Sequence, residues 1–487
     1  MSKFNLGFSR AIKTINNEGA TAYPMNDKEK PVTQVLTSFF NENKFYGDNS
    51  QDILNTVRNV IKTEAKFVAN LCIYARNEMH LRTISHVLVS ELAKSTEGKE
   101  YVRKTLNKII ERPDDMTEVL AYYLNTYGKP IPNSVKKGLA DSFGKFDEYQ
   151  LAKYNRKNTI KLKDILCLAH PKAKDERQSD LWKRLLEDRL ETPVTWEKEL
   201  STKGNTKETW ERLIEENRLG YMAMLRNLRN IIKSGASNLN KVYEYLTDEE
   251  RVLKNKQLPF RYYSAYKTLK NEGIGTSKIY DALETAIKIS TKNIDRLTGK
   301  TLIAADVSGS MNFPISRKSD LTCAEVAVLM LSIANYICEE TITKTFDNYL
   351  YTCNLATQNG IIANANSIKV NGGGTDITLP LRYLLDRKIF VDRIIILSDN
   401  EINREYSYNT GYSRSSTCQA LVEEYKKRIN PDVWVHAIDM QGYGTQQFKG
   451  KNVNIIAGWS ERVFDFISSV EQGMDSLIDK ISSYYFK

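Results

Sequence analysis

Asp306, Ser308 and Ser310 alternate in the stretch TLIAADVSGSM, Thr375 lies in NGGGTDITLP, and Asp399 lies in VDRIIILSDNEI. Two carboxylates and three hydroxyls, without histidine or cysteine, make a hard oxygen donor set. Such a set suits Mg2+ better than Zn2+, and Mn2+ and Ca2+ use the same donors. Alternate residues of an extended loop point to one side, so the first three can converge on one ion, and Gly309 permits a tight path. The hydroxyls are expected to bind the cation directly, and the carboxylates either directly or through water. The plain alternative is a polar loop cluster that holds nothing. Glu401 lies nearby as a conceivable base, but without a histidine or a second metal cluster there is little case for catalysis.

The elements that must position these donors are legible around them. Residues 301–305 are mostly apolar and read as a buried parallel strand with Asp306 at its carboxyl end; residues 391–397 read the same way before Asp399. Ligands of open α/β sheets gather at such strand ends. The helical stretch SDLTCAEVAVLMLSIANYICEE follows the first loop, and TITKTFD and LYTCNLA read as a strand pair. NGGGTDITLPLRYLLDR reads as a glycine-rich loop entering a helix, with Asp376 as its N-cap and Pro380 in its first turn. VWVHAID and NVNIIAG supply the last strands, with His436 in the core, before the helix SERVFDFISSVEQG. A doubly wound α/β domain over residues 298–487 is expected.

Residues 1–297 read differently. From about Pro31 to Ser290 apolar residues recur at helical spacing between short polar turns, as where Leu81, Ile84, Leu88 and Leu92 share one face. Many short helices without a strict period resemble a degenerate HEAT-type solenoid, an all-α architecture whose curvature presents a long surface.

Charge divides the chain in the same place. Residues 1–300 hold 52 Lys+Arg against 39 Asp+Glu, and residues 301–487 hold 18 against 21. A polyanionic partner for the first part is one reading, and solvated helix faces are the other. Two stretches stand out. Residues 129–163 carry nine Lys or Arg, among them Lys136, Lys137, Lys153, Arg156 and Lys157, against three acids. Residues 251–270 carry six basic residues, including Arg261, and no acid, interleaved with Tyr262, Tyr263 and Tyr266. Cations neutralise phosphates and aromatic faces stack on unpaired bases, which suits single-stranded nucleic acid. Alternatively the tyrosines are core and the basic residues their rim.

No apolar run reaches the roughly 18 residues of a spanning helix, and the N-terminal residues lack the apolar core of a secretory signal. A cytoplasmic monomer without membrane contact is expected. The six cysteines are dispersed, with no CxxC pair to suggest zinc or a disulfide framework.

Five collinear motifs then resemble a known family. They are YARNEMHLRTISHVLVSELA at residues 74–93, LAKYNRKNTIKLKDILCLAHPK at 151–172, GYMAMLRNLRNI at 220–231, LPFRYYSAYKTL at 258–269, and ADVSGSM at 305–311. Together they resemble the TROVE module of the Ro RNA-binding proteins followed by a von Willebrand factor A domain. The resemblance implies a helical ring that admits single-stranded 3′ ends of misfolded RNA into its hole. It also implies an outer surface that binds Y or Y-like RNA. Lys153, Lys157 and His170 match the family's outer RNA site, although Lys157 stands where the family often has arginine and lacks the planar fork. Pro171 disfavours helix at His170, placing the imidazole at a helix end. For the ring interior the candidates are Arg76, Arg82, Arg226, Arg229 and Arg261; interhelical salt bridges are the competing role of the first four. The order DxSxS, T, D matches the family's metal-ion-dependent adhesion site, which implies a coordination position left for an acidic residue of a partner, such as a nuclease.

The leading expectation is therefore a non-catalytic RNA quality-control scaffold. The alternatives are a metal-dependent protein-adhesion scaffold and a metal-dependent RNA-processing enzyme.

Overall fold

The computed structural model describes residues 14–15, 21–22, 28–37, 48–155, 159–191, 195–315, 321–399, 418–440, 448, 450–457 and 462–486. The chain divides into two compact units. One comprises residues 27–220, 230–238 and 473–487, the other residues 1–26, 221–229 and 239–472.

In the first unit the described residues form helices joined by short turns. Helix Arg82–Lys94 lies at its centre. Every residue from Ile84 to Ala93 is buried, beyond the single face expected from apolar spacing, because helices Asp48–Asn77, Lys99–Ile109 and Pro113–Tyr127 all pack against it. Its serines tolerate this by bonding within the helix, Ser85 Oγ donating to Leu81 O at 2.7 Å and Ser90 Oγ to His86 O at 2.8 Å.

Helix Met474–Ser482 and the residues after it also belong to this unit. Buried Asn70, on helix Asp48–Asn77, donates to Ser482 O at 2.6 Å and accepts from the amides of Tyr485 at 3.2 Å and Phe486 at 2.9 Å. The Tyr74 and Tyr484 rings meet edge to face at 5.3 Å, and Tyr101 and Phe486 at 5.2 Å. The last residues thus pack with the helices, whereas the sequence boundary assigned them to the α/β domain.

The second unit holds a six-stranded sheet. Its strands are β1 (Leu297–Asp306), β2 (Cys338–Phe346), β3 (Leu350–Thr352), β4 (Arg393–Ser398), β5 (Trp434–Asp439) and β6 (Val453–Ala457). The order is β3-β2-β1-β4-β5-β6, parallel except for β3, which runs antiparallel to β2. Ile303 of β1 stands between Thr343 of β2 and Ile395 of β4. Residues 301–306 of β1 and all of β4 are buried, as strands covered on both faces must be. Leu302, Ala304, Ile394, Ile396, Val435 and Ala437 share one core with Leu381 and Leu384 of helix Leu379–Asp386 and Val422 and Tyr425 of helix Cys418–Arg428. Helix Cys323–Ile337, closed at its start by a capping box between Thr322 and Glu325, packs on β1 and β2. His436 is buried in β5 as expected, bonded through Nε2 to Glu471 at 3.0 Å.

Helices Leu239–Thr247, Glu249–Asn255, Pro259–Asn271 and Ser277–Ser290 pack in the same unit as the sheet. The Glu284 carboxylate explains part of this. It accepts from the amides of Ile362 at 3.0 Å and Ala363 at 3.1 Å, and also from Ile361, at the start of helix Ile361–Ser367. A carboxylate there satisfies orphan N–H groups and meets the positive end of the helix dipole. The boundary expected between residues 297 and 298 is therefore not where packing divides the chain. Among the described residues all six cysteines are free, and no helix is long and apolar enough to cross a membrane.

Asn70→Ala is expected to cost about 2 to 3 kcal/mol by leaving buried backbone groups unsatisfied. Amide exchange at residues 482–486 should rise while the sheet stays protected; unchanged exchange there would show that ring contacts alone hold the segment.

Candidate metal centre and nucleic-acid interface

Asp306 ends β1, and Asp399 follows β4. These are adjacent central strands, and the chain leaves β1 toward β2 on one side and adds β4 on the other. That is the topological switch point, where the loops above neighbouring strand ends part and leave a crevice. Asp306 Oδ1 accepts from Ser308 N at 2.8 Å and Oδ2 from Ser398 Oγ at 2.8 Å. The Ser308 and Ser310 hydroxyls stand 3.2 Å apart. Gly309 N donates to Gly373 O at 2.9 Å and Gly372 N to Val307 O at 3.1 Å, which ties the glycine loop to the DxSxS loop and brings Thr375 to the same end of the sheet. Gly372 has φ +70°, a conformation that favours glycine.

Asp306, Ser308, Thr375 and Asp399 are all buried, and Ser310 is half-buried. Burial pushes the Asp306 carboxyl up to about 7; the Ser308 hydrogen bond opposes this, and the Asp399 charge adds to it. Among the described residues no cationic side chain bonds Asp306, and two buried carboxylates whose charges act on one another are an environment that a divalent cation relieves. Among the described residues no three His, Cys, Asp or Glu side chains form a metal-binding group, so a cation here would need the hydroxyls as well as Asp306 and Asp399. The donor chemistry and the burial fit a hard divalent ion.

Two neighbours differ from the sequence reading. Asp376 is not the helix N-cap: helix Leu379–Asp386 starts after Thr378, and the Asp376 carboxylate accepts from Thr378 N at 3.0 Å in a turn before it. Pro380 does occupy the first turn. Asp347, just beyond β2, is a third buried acid at this end of the sheet; its carboxylate accepts from Tyr349 N at 2.8 Å. Its signal was present, as an Asp immediately after a strand, but the DxSxS pattern does not include it. Glu401 lies outside the described residues.

In the first unit, Lys153 lies in the last turn of helix Glu148–Tyr154 and is half-buried. Its ammonium lies over the rings of Tyr149 at 5.8 Å and Tyr154 at 5.6 Å, and Arg112 covers Tyr154 at 4.7 Å. Tyr149 is 54% exposed. A cation beside an open aromatic face can meet a phosphate and a base together. Tyr149 was missed in the sequence, although it stands four residues before Lys153 on one helix face. His170 is exposed and caps helix Leu162–Ala169 in the left-handed region at φ +45°, the helix end that Pro171 implies. Lys137 is exposed and Lys136 half-buried; Arg156 and Lys157 lie outside the described residues.

The candidates for a ring interior separate into two groups. Arg76 is buried, donates to Ile109 O at 3.0 Å, and pairs with Glu111 at 2.7 Å and Asp115 at 3.6 Å. Arg82 pairs with Asp114 at 3.0 Å, Asp115 at 2.5 Å and Glu118 at 3.0 Å. Burial alone would raise the Asp115 pKa, but His86 and Arg82 hold it well below the usual carboxylate range. Both guanidiniums are committed to acids on helix Pro113–Tyr127 or just before it, so an RNA role for Arg76 and Arg82 gives way to an interhelical one. Arg226 and Arg229, by contrast, are exposed on helix Tyr221–Lys233, with Arg229 3.3 Å from Glu272. Arg261 is exposed as well.

The aromatic part of the second basic stretch is also structural. Tyr262 and Tyr263 are fully buried; Tyr262 donates to the Tyr221 hydroxyl at 3.1 Å, which donates to Leu246 O at 2.7 Å. They cannot stack on bases from there. Lys267 pairs with Glu325, and Arg251 lies over Tyr245 at 4.2 Å.

These sites fall inside matched families. The TROVE domain matches residues 33–188 and 183–278, and the Ro60 vWA domain matches residues 300–469. The chain belongs to the Ro family of TROVE-domain proteins. It is 21% identical over 444 residues to the RNA-binding protein RO60 of Deinococcus radiodurans, covering 79% of this chain and 83% of that protein. It is 25% identical over 292 residues to telomerase protein component 1 of Rattus norvegicus, 42% of this chain but 11% of that protein. The crystal structure of the Deinococcus radiodurans Ro (RSR) protein matches with a TM-score of 0.66 at 15% identity, covering 95% of this chain and all of that one. That likeness carries the fold, helical region and von Willebrand factor A sheet together.

If the acid end of the sheet holds a cation, Asp306→Ala abolishes Mn2+ binding read by calorimetry. Because the Asp306 carboxyl is raised, the cation must displace a proton, so affinity is expected to be weaker at about pH 6 than at about pH 8. Equal affinity at both would show that the Asp306 carboxyl is not raised, whereas Mn2+ binding that survives Asp306→Ala would remove it from the donor set.

Proposed function

We propose that this Ro-family chain is a non-catalytic RNA-binding scaffold. The surface around Lys153, Tyr149 and His170 binds a Y or Y-like RNA, with Lys136, Lys137 and the family-matched Lys157 extending it. Single-stranded 3′ ends of misfolded RNA are held by Arg226, Arg229 and Arg261 in the hole of the ring that the family implies.

The observation that carries this reading is Lys153 over two tyrosine rings, one of them open to solvent, with no carboxylate partner among the described residues. A lysine so placed keeps its charge for an incoming phosphate, and the ring beside it offers a face to a splayed base. His170, exposed at a helix end, adds a donor in the same unit. The second part of the proposal concerns the α/β domain. A divalent cation, in the first instance Mg2+, bound by Asp306, Ser308, Ser310, Thr375 and Asp399 recruits a protein such as a nuclease, while the chain itself does no chemistry.

Filter binding with a Y-like RNA tests the first part. Lys153→Ala combined with His170→Ala is expected to weaken binding about tenfold or more, and Tyr149→Ala to cost about 1 to 3 kcal/mol if its ring stacks on a base. The salt dependence should flatten by about one unit of slope with Lys153→Ala. Wild-type affinity in both variants at physiological salt would sink the outer site. RNA cleavage that disappears with Asp306→Ala would instead favour the enzyme reading.

A further inference from the structure

The last described residues alternate in what they meet. Tyr484 and Phe486 pack on the helices: their rings meet Tyr74 and Tyr101 edge to face, and the Tyr484 hydroxyl donates to Glu78. Tyr485 between them is 38% exposed. Its backbone is fixed, because the amides of Tyr485 and Phe486 both donate to Oδ1 of buried Asn70. The Phe486 ring also meets the Tyr485 ring edge to face at 4.9 Å. An aromatic ring on a pinned segment loses little freedom when another flat group stacks on it.

A cation lies over that ring. Lys108 Nζ, on helix Lys99–Ile109, is 4.8 Å from the Tyr485 ring centre. Lys104 stands one turn earlier on the same helix face, and both lysines are exposed. Neither has a carboxylate partner among the described residues. Lys145 adds a third charge at the end of that helix, where its ammonium donates to Ile110 O at 3.1 Å and to Asn107 O. Burial, and after it the Lys108 charge, push this ammonium below its usual range. The acids whose charges reach it are engaged elsewhere: Glu111 with Arg76, Asp115 with Arg82 and Asp141 with Arg103. Ammonium groups gathered in this way favour an anion.

An open ring beside cations suits an unpaired nucleotide, whose base stacks while its phosphates are neutralised. An acidic protein segment would use the lysines and leave the ring idle. The Lys153 surface, with the same chemistry, is close along the chain. Lys108 precedes Arg112, which covers Tyr154, by four residues, and Lys145 precedes Tyr149 by four. Four residues span at most about 14 Å, so one RNA can reach both places. Resting on the reading of the chain as an RNA-binding scaffold, we propose that Tyr485, Lys108 and Lys104 form a further RNA contact. It takes an unpaired stretch of the RNA that meets the Lys153 surface, one base stacking on Tyr485 and the two lysines neutralising the flanking phosphates.

Filter binding of the full chain to a Y-like RNA with an unpaired loop, and to the fully paired duplex of its stem, tests the contact. Tyr485→Leu is expected to weaken the looped RNA about fivefold or more and leave the duplex unchanged, while Tyr485→Phe keeps wild-type affinity for both. Lys104→Gln with Lys108→Gln should flatten the salt dependence for the looped RNA by about 0.7 per lysine. In the wild-type chain, thiouridine in the loop should crosslink to residues 484–486, a readout that needs no variant to fold. Equal looped-RNA affinity in Tyr485→Leu, an equal loss on the duplex, no crosslink to that segment, or an unmoved salt slope would overturn the contact. So would polyglutamate that binds through the two lysines while RNA affinity stays at wild type in their variant, which would assign the patch to an acidic protein. A loss with Tyr485→Leu but none with Lys153→Ala and His170→Ala sinks the Lys153 surface and keeps this contact. A wild-type chain that binds neither RNA sinks both.

Discussion

A carboxylate with almost no exposure at the end of the central strand constrains everything above the sheet. Asp306 is buried among the ends of β1 and β4, and the hydrogen bonds from Ser308 and Ser398 compensate only part of its desolvation. A second buried acid beside it, Asp399, makes ionisation of both costlier. This arrangement is hard to account for by folding alone, because two apolar residues would fill the same volume at lower cost. A cation held there, as proposed, with the hydroxyls of Ser308, Ser310 and Thr375, would offset that cost. The bonds between the glycine loop and the DxSxS loop, and the glycines that let those backbones approach, serve the same convergence.

The helical unit meets a related demand with protein cations. Asp115 is fully buried, and His86, Arg76 and Arg82 surround it. Removing one partner from such a network leaves an uncompensated charge in the interior, which is why these arginines cannot also serve a ligand without cost. Surface cations differ. Lys153 faces rings, and Arg226 has no ion pair to a described residue, so their charge remains available outside. Burial of the counter-charge, more than residue type, separates a structural arginine from one that can meet RNA.

Much of the α/β domain was legible because its signals are local. Apolar runs ending in Asp306 and Asp399 locate strands and their carboxyl ends, and the sheet sets both acids at the ends of adjacent parallel strands. His170 before Pro171 was legible for the same reason, since the proline restricts its own neighbour. Tyr262 and Tyr263 were open between two roles because helical spacing says which residues share a face but not what covers it. Tyr221, from a distant segment, decided that. The Asp376 cap was off by two residues because the loop spends an extra turn before the helix begins.

The sequence by itself determined the order of the elements, the candidate oxygen donors, the charge difference between the two parts, and motifs specific enough to name the family. Those properties depend on residue type and short spacing. Tertiary structure alone decided that Arg76 and Arg82 are bound to buried acids, that Glu284 and the helices around it pack with the sheet, and that the final residues return to Asn70. Each of these depends on contacts between segments far apart in the chain, where the cost of an unpaired buried group selects the partner and no local spacing records the choice.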